Sequence, residues 1–460
     1  MVKKYLCKFL LLTLMIPLHA QEGPVPGLPA AESTGKTIED QRRDTLRFGT
    51  ETEIASLIQT LKNEKVDYLD NELIEIANKT RNRSILAGIF SFFGEVEKSG
   101  LEERAIKAVE EREQEANDTV MAAVDYLGKV KSGEAVDCLV ELINSGEDRF
   151  LNSAFRALGR AASSAEGDNI AEFLLTYYKD RNPGDENKRE ILVALGETGS
   201  NEGVSFLAAL IKNPDERAPL RMAALEAISK ISDNEGLDAV IEAVSSNDPN
   251  VRSSAVAALS PFSGEAVDNA ILEAFRDSYW RTRIAASQAA GKRRLQAAIP
   301  YLRYRAENDD VPNVKDEAIR ALGAINNEES AVILDSFFVE RKNADRVRII
   351  AAEMLLQNDA DTYGAKVFAE MNEAKNKNQT ALYNGFVRIM GSAKAASLDE
   401  LARRFISGGG IIEKSLALDI ILNNKFLGLE DEVRLLLDEK IHSASIARKA
   451  LSTLEKLGLQ

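Results

Sequence analysis

DPNVRSSAVAALS (Asp248–Ser260) is the stretch whose reading decides the fold. Asp then Pro is a helix start: the carboxylate caps free backbone N–H groups and the ring fits the first turn. Val251, Ala255, Val256 and Leu259 then fall on one face at helical spacing, and the segment closes on a large apolar residue followed by a small one. Working outward, that ending recurs. It stands as FFG at Gly94, YLG at Gly128, ALG at Gly159, Gly196 and Gly323, AIS at Ser229 and AAG at Gly291. It continues as LLQ at Gln357, IMG at Gly391, ILN at Asn423 and KLG at Gly458. With Ser260 these twelve landmarks lie 31 to 37 residues apart, a period that means stacked helical units.

The interior of the unit keeps register with its ending. Five residues before the landmark stands Ala123, Ala154, Ala224, Ala255, Ala286, Ala318 or Ala352, a small residue for close helix contact. Eight residues before it comes a base in five consecutive units: Lys188, Arg221, Arg252, Arg283 and Lys315. Arg348 follows one residue out of step, and Leu86, Val120 and Leu151 hold the position in earlier units. After each landmark a short polar turn leads to a second amphipathic helix, such as EGLDAVIEAV (Glu235–Val244). One such hairpin cannot cover its own apolar stripes, so neighbours must stack and share a core. The expected class is all-α, an α-solenoid: a superhelix of about twelve stacked helical hairpins.

The unit D-P-x-V-R-x-x-A-x-x-A-L-G resembles the HEAT-repeat superfamily, in particular the short HEAT-like repeats of the phycobilin-lyase type. DPNVRSSAVAALS matches best and VPNVKDEAIRALG (Val311–Gly323) nearly as well. The likeness runs over about residues 50–460 and is strongest from 185 to 357. It implies a scaffold or adaptor that binds along its inner helices, and it specifies fold better than function.

Outside the array, residues 1–20 have the form of a signal peptide. Lys3, Lys4 and Lys8 precede a ten-residue uncharged run, FLLLTLMIPL (Phe9–Leu18), and then Ala20. No Cys follows that run, so there is no lipid-anchor motif. The expected location is the periplasm or cell envelope of a bacterium, with the signal either cleaved or kept as an anchor. Residues 21–45, with Pro24, Pro26 and Pro29, are expected to be a disordered Pro/Gly-rich tether. Residues 46–130 read as N-terminal capping repeats, 131–407 as the HEAT-like array, and 408–460 as C-terminal repeats after a Gly-rich joint, Gly408–Gly410.

Composition excludes most chemistry. Three of the 58 bases and none of the 73 acids lie in the first twenty residues, leaving 55 against 73, a net of −18. That balance argues against nucleic acid as a partner. Beyond residue 20 stand one Cys (Cys138) and one His (His442), too few for a disulfide framework, a Cys/His metal site or a triad. No phosphate-binding loop is present, and neither cofactor nor metal is expected. The repeated bases could track an anionic ligand. Because they belong to the repeat register itself, ties to carbonyls or to an Asp of the next unit are the expected role.

One local departure remains. From Arg276 to Arg305 there are eight bases and a single acid, Asp277, interleaved with aromatics. The candidate partner-binding residues are Trp280, Arg281, Arg283, Lys292, Arg293, Arg294, Tyr301, Arg303, Tyr304 and Arg305. Arg and aromatic side chains anchor protein interfaces, and Arg forks onto carboxylates. The expected function is an exported, non-enzymatic scaffold mediating protein–protein interaction, with the partner offering an acidic segment. The alternative is an envelope module that recognises anionic polymer or lipid headgroups; an enzyme on the same scaffold is the third reading.

Overall fold

The computed structural model describes residues 37–66, 68–162 and 167–459. The expected signal peptide and most of the expected tether lie outside them. Among the described residues there are 25 α-helices and no strand.

The helices form hairpins in chain order. The first four are α1 (Ile38–Phe48) with α2 (Glu51–Glu64), α3 (Asp70–Lys79) with α4 (Arg83–Glu95), α5 (Glu102–Glu110) with α6 (Asn117–Lys129), and α7 (Val136–Asn144) with α8 (Asp148–Ala161). The middle of the chain gives α9 (Gly167–Arg181) with α10 (Asp185–Thr198), α11 (Val204–Lys212) with α12 (Ala218–Ile231), α13 (Leu237–Ala243) with α14 (Pro249–Ala258), and α15 (Glu265–Ala274) with α16 (Trp280–Lys292). Then come α17 (Ile299–Asn308) with α18 (Pro312–Ile325), and α19 (Glu328–Val339) with the first half of α20 (Asp345–Asn376). The second half of α20 pairs with α21 (Thr380–Ser392), α22 (Leu398–Gly408) with α23 (Ile411–Asn424), and α24 (Glu430–Leu435) with α25 (Ala444–Leu457).

The described residues thus form thirteen hairpins, in line with the expected number of about twelve. The extra one, α1–α2, carries no landmark glycine, and it takes residues 38–45 away from the expected tether. A capping box explains that correction. The Thr37 hydroxyl accepts from Asp40 N at 3.1 Å, the Asp40 carboxylate accepts from Thr37 N, and Leu46 anchors the helix in the core.

The second helices of successive hairpins pack closely on one another, while the first helices touch far less. In a curved stack the crowded layer is the inner one. The landmarks lie in this inner layer, and their residue type has a steric cause. A Cβ on Gly128 would lie 2.7 Å from the Ala157 Cα, one on Gly159 2.7 Å from the Ala194 Cα, and one on Gly196 2.7 Å from the Ala227 Cα. Each glycine thus receives the alanine two places before the next landmark. The alanines five places before the landmark are all buried, as their spacing predicts.

The deciding segment folds as read: Asp248 caps α14, its carboxylate accepting from Asn250 N at 2.7 Å. Two joints depart from the pattern. Inside α20, Asp359 leaves helical geometry (φ −156°, ψ 78°) and its carboxylate accepts from Thr362 N at 3.0 Å, so it ends one helix and caps the next with no loop between. Between α22 and α23 only Gly409 and Gly410 intervene, and a Cβ on Gly409 would sit 2.5 Å from the Phe405 carbonyl oxygen.

Candidate binding surface

The repeated bases are committed inside the protein, and Arg252 and Arg283 tie one unit to the next. Arg252 on α14 forks onto Asp277, Nε–Oδ2 at 2.7 Å and Nη2–Oδ1 at 3.0 Å, and donates to the Ser246 and Asn247 carbonyls. Arg283 on α16 repeats this one unit later, forking onto Asp309 at 2.7 and 2.8 Å and donating to the carbonyls of Asp277 and Ser278. Arg221 donates to the Ile211 carbonyl at 2.9 Å, Arg348 to the Phe338 carbonyl at 2.9 Å, and Lys315 to the Glu307 carbonyl at 2.9 Å. Lys188 lies over the Tyr178 ring.

The acids of these struts share a register position of their own. Asp277 stands fourteen residues before Gly291 and Asp309 fourteen before Gly323. Burial raises both carboxyls, but the Arg forks, a backbone N–H and the neighbouring charges outweigh it, and both lie below the usual Asp value.

Arg283, counted among the candidate contact residues, is thus a strut: it is 7% exposed and its donors are committed inside the protein. The other nine do not share one face. Trp280 and Arg281 open α16, with the Arg281 guanidinium 5.1 Å from the centre of the Trp280 ring; Tyr279 just before them donates from its hydroxyl to Asn250 Oδ1 at 3.0 Å. Lys292, Arg293 and Arg294 close the same helix, about 18 Å away along its axis. There Lys292 and Arg294 are exposed, whereas Arg293 tucks against Asp268 with its Nε buried and without a partner. Arg303 is exposed and pairs along its helix with Glu307 at 2.9 Å.

Tyr301, Tyr304 and Arg305 do converge. They line a cleft of about 430 Å³ on the outer layer between α15 and α17, completed by Phe275, Arg276 and Pro300. Tyr301 stacks on Phe275 with ring centres 5.6 Å apart, and the Arg276 guanidinium covers it at 5.5 Å. Arg305 lies 5.4 Å from the centre of the Tyr304 ring, and Tyr304 is 57% exposed. Phe275 and Pro300 were not read as site residues, since only the packing of two hairpins brings them to this wall.

Among the described residues Cys138 and His442 are the only Cys and His. Cys138 is buried, its Sγ donates to the Ala135 carbonyl at 3.2 Å, and burial pushes the thiol up to about 12. His442 Nδ1 lies 3.2 Å from Lys414 Nζ. Among the described residues no cluster of three or more His, Cys, Asp or Glu is arranged to hold a metal, and no helix is long and apolar enough to cross a membrane.

Stacked hairpins with an inner register of glycine on alanine define a HEAT-repeat solenoid, a helical scaffold whose form suits protein interaction. More narrowly, a family described as spirochaete HEAT repeat protein matches residues 46–453, and the chain belongs to it. No curated protein matches. Among solved structures the chain is similar to Kap121p (13% identity, TM-score 0.42, covering 91% of this chain and 54% of that one). It is also similar to importin beta (12%, TM-score 0.41, 90% and 69%) and to human deoxyhypusine hydroxylase (15%, TM-score 0.27, 69% and 99%). The chain spans about half the length of Kap121p, and these are likenesses of fold alone.

Proposed function

We propose that the protein is an exported, non-enzymatic scaffold that holds a partner protein by an acidic segment laid in the outer cleft of Arg276, Tyr301, Tyr304 and Arg305. The observation that carries this reading is the cleft itself: two guanidinium groups beside two partly exposed Tyr rings over an apolar floor. Stacking, with Glu273 at 2.6 Å from Arg276 and Asp309 at 3.4 Å from Arg305, holds the Arg groups in place, which lowers the entropy lost when their remaining donors meet a carboxylate. Trp280 and Arg281, at the start of the inner helix α16, stand outside the lining of this cleft. Export rests on residues 1–20, and absence of catalysis on the burial of Cys138 and the Lys414 contact of His442.

The test is capture from a detergent-solubilised envelope extract with mass spectrometry, comparing the native chain with Arg276→Glu/Tyr304→Ser/Arg305→Glu after circular dichroism shows equal helicity. A protein retained by the native chain and lost by the variant supports the reading; equal retention sinks it. Capture of anionic polymer or lipid instead, lost steeply as salt rises, would favour the envelope-module reading.

A further inference from the structure

The two ends of the array line one cleft. Glu39 and Arg42 of α1 and Glu64 at the end of α2 form one wall; Ser452, Glu455 and Lys456 of α25 form the other. The space between them is about 660 Å³, although Glu64 and Ser452 stand 388 residues apart in sequence. Thirteen inner helices spaced about 9 Å apart trace a path of roughly 120 Å. Laid out straight, such an array would separate its ends by that distance. Ends that share a single cleft require the path to close.

The charges across the cleft are matched in sign. Arg42 donates to Glu64 Oε2 and to the Tyr68 hydroxyl, both at 2.6 Å, and Glu39 receives Arg43 at 2.8 Å, so the N-terminal wall is held in place by its own unit. On the other wall Glu455 and Lys456 have no ion pair among the described residues. They share the lining of the cleft with Arg42, Glu39 and Glu64 of the opposite wall, outside ion-pair distance. We propose that the array is a closed ring, with α1 and α25 as the faces of its seam and these opposed charges as the fastening. A closed path of roughly 120 Å puts opposite inner helix axes about 35–40 Å apart, and after one helix thickness the opening is about 25–30 Å. That admits one or two helices of a partner and excludes a folded domain.

The seam can be measured in the full chain, with Cys7→Ser and Cys138→Ala removing the native thiols. Spin labels at Asn63→Cys and Leu451→Cys, one on each side of the cleft, report their separation by pulsed electron resonance. The expected result is one short distance, under ~35 Å, that moves to longer values in Lys456→Glu and stays short in Lys456→Arg, with helicity equal throughout. A long distance in the native chain overturns the ring. A short distance unaltered by Lys456→Glu overturns the charged fastening.

Discussion

The same register position is filled in two ways along this chain. In α4, α6 and α8 it holds Leu86, Val120 and Leu151, all buried; in α14 and α16 it holds Arg252 and Arg283, forked onto an acid of the following unit. The aliphatic version packs in whatever register the neighbours offer. The arginine version demands an acid fourteen places before the next landmark and backbone carbonyls at a fixed angle, so it specifies which unit follows which. The contrast suggests that the middle of the array gains order from struts and the N-terminal units from simple packing.

Breaking a strut gives the largest expected effect. Arg283→Leu copies the N-terminal solution but leaves the fully buried Asp309 side chain without its principal partner. A loss of about 3–5 kcal/mol is expected, read as a lower urea midpoint. Arg283→Leu/Asp309→Asn should recover at least half of it, because the buried charge is gone while Val311 N keeps an acceptor. Failure to recover would mean that the two solutions are not interchangeable. Arg252→Leu should cost less, about 1.5–3 kcal/mol, since Arg252 and Asp277 keep some exposure.

A feature that the two regions share comes next. Gly159→Ala forces a methyl within 2.6 Å of the Ala194 carbonyl oxygen, and about 1–3 kcal/mol of overpacking is expected. Gly133→Ala, with open space around its site, should stay within about 0.5 kcal/mol. Equal midpoints for the two variants would remove the steric account of the landmark.

The smallest effect is acid sensitivity. Asp277 and Asp309 have folded-state values below the unfolded one. Their contribution is therefore complete above about pH 4 and is lost as pH falls through the folded values. Between pH 5 and pH 3, hydrogen-exchange protection should fall faster in α14 and α16 than at the Val120 junction of α6. Equal losses would erase the distinction between strut and plug.

Much of this was legible in the sequence. Landmarks, alanine register and helix caps are local signals, so the solenoid, its inner layer and the role of the repeated bases could be read from spacing. The first hairpin escaped because the last apolar residue of α2, Leu61, is followed by Lys62, a long charged residue that does not fit the landmark. The candidate surface was read as one run because Trp280 to Arg305 is continuous in sequence. In space, α16 carries its two basic ends about 18 Å apart. The cleft of Phe275, Pro300 and Tyr304 and the seam at Glu64 and Ser452 depend on how hairpins stack, which no short window encodes.

The glycine–alanine contacts have a mechanical consequence. At Gly128, Gly159 and Gly196 the inner helices already meet backbone to backbone, with no side chain left to compress. The outer helices, which touch less, retain room to slide. Bending that tightens the curve is blocked by a hard stop, whereas bending that relaxes it meets only soft side-chain contacts. Once the seam between α1 and α25 parts, the molecule should behave as a spring that yields in one direction, uncoiling under load and resisting any pull that would wind it further.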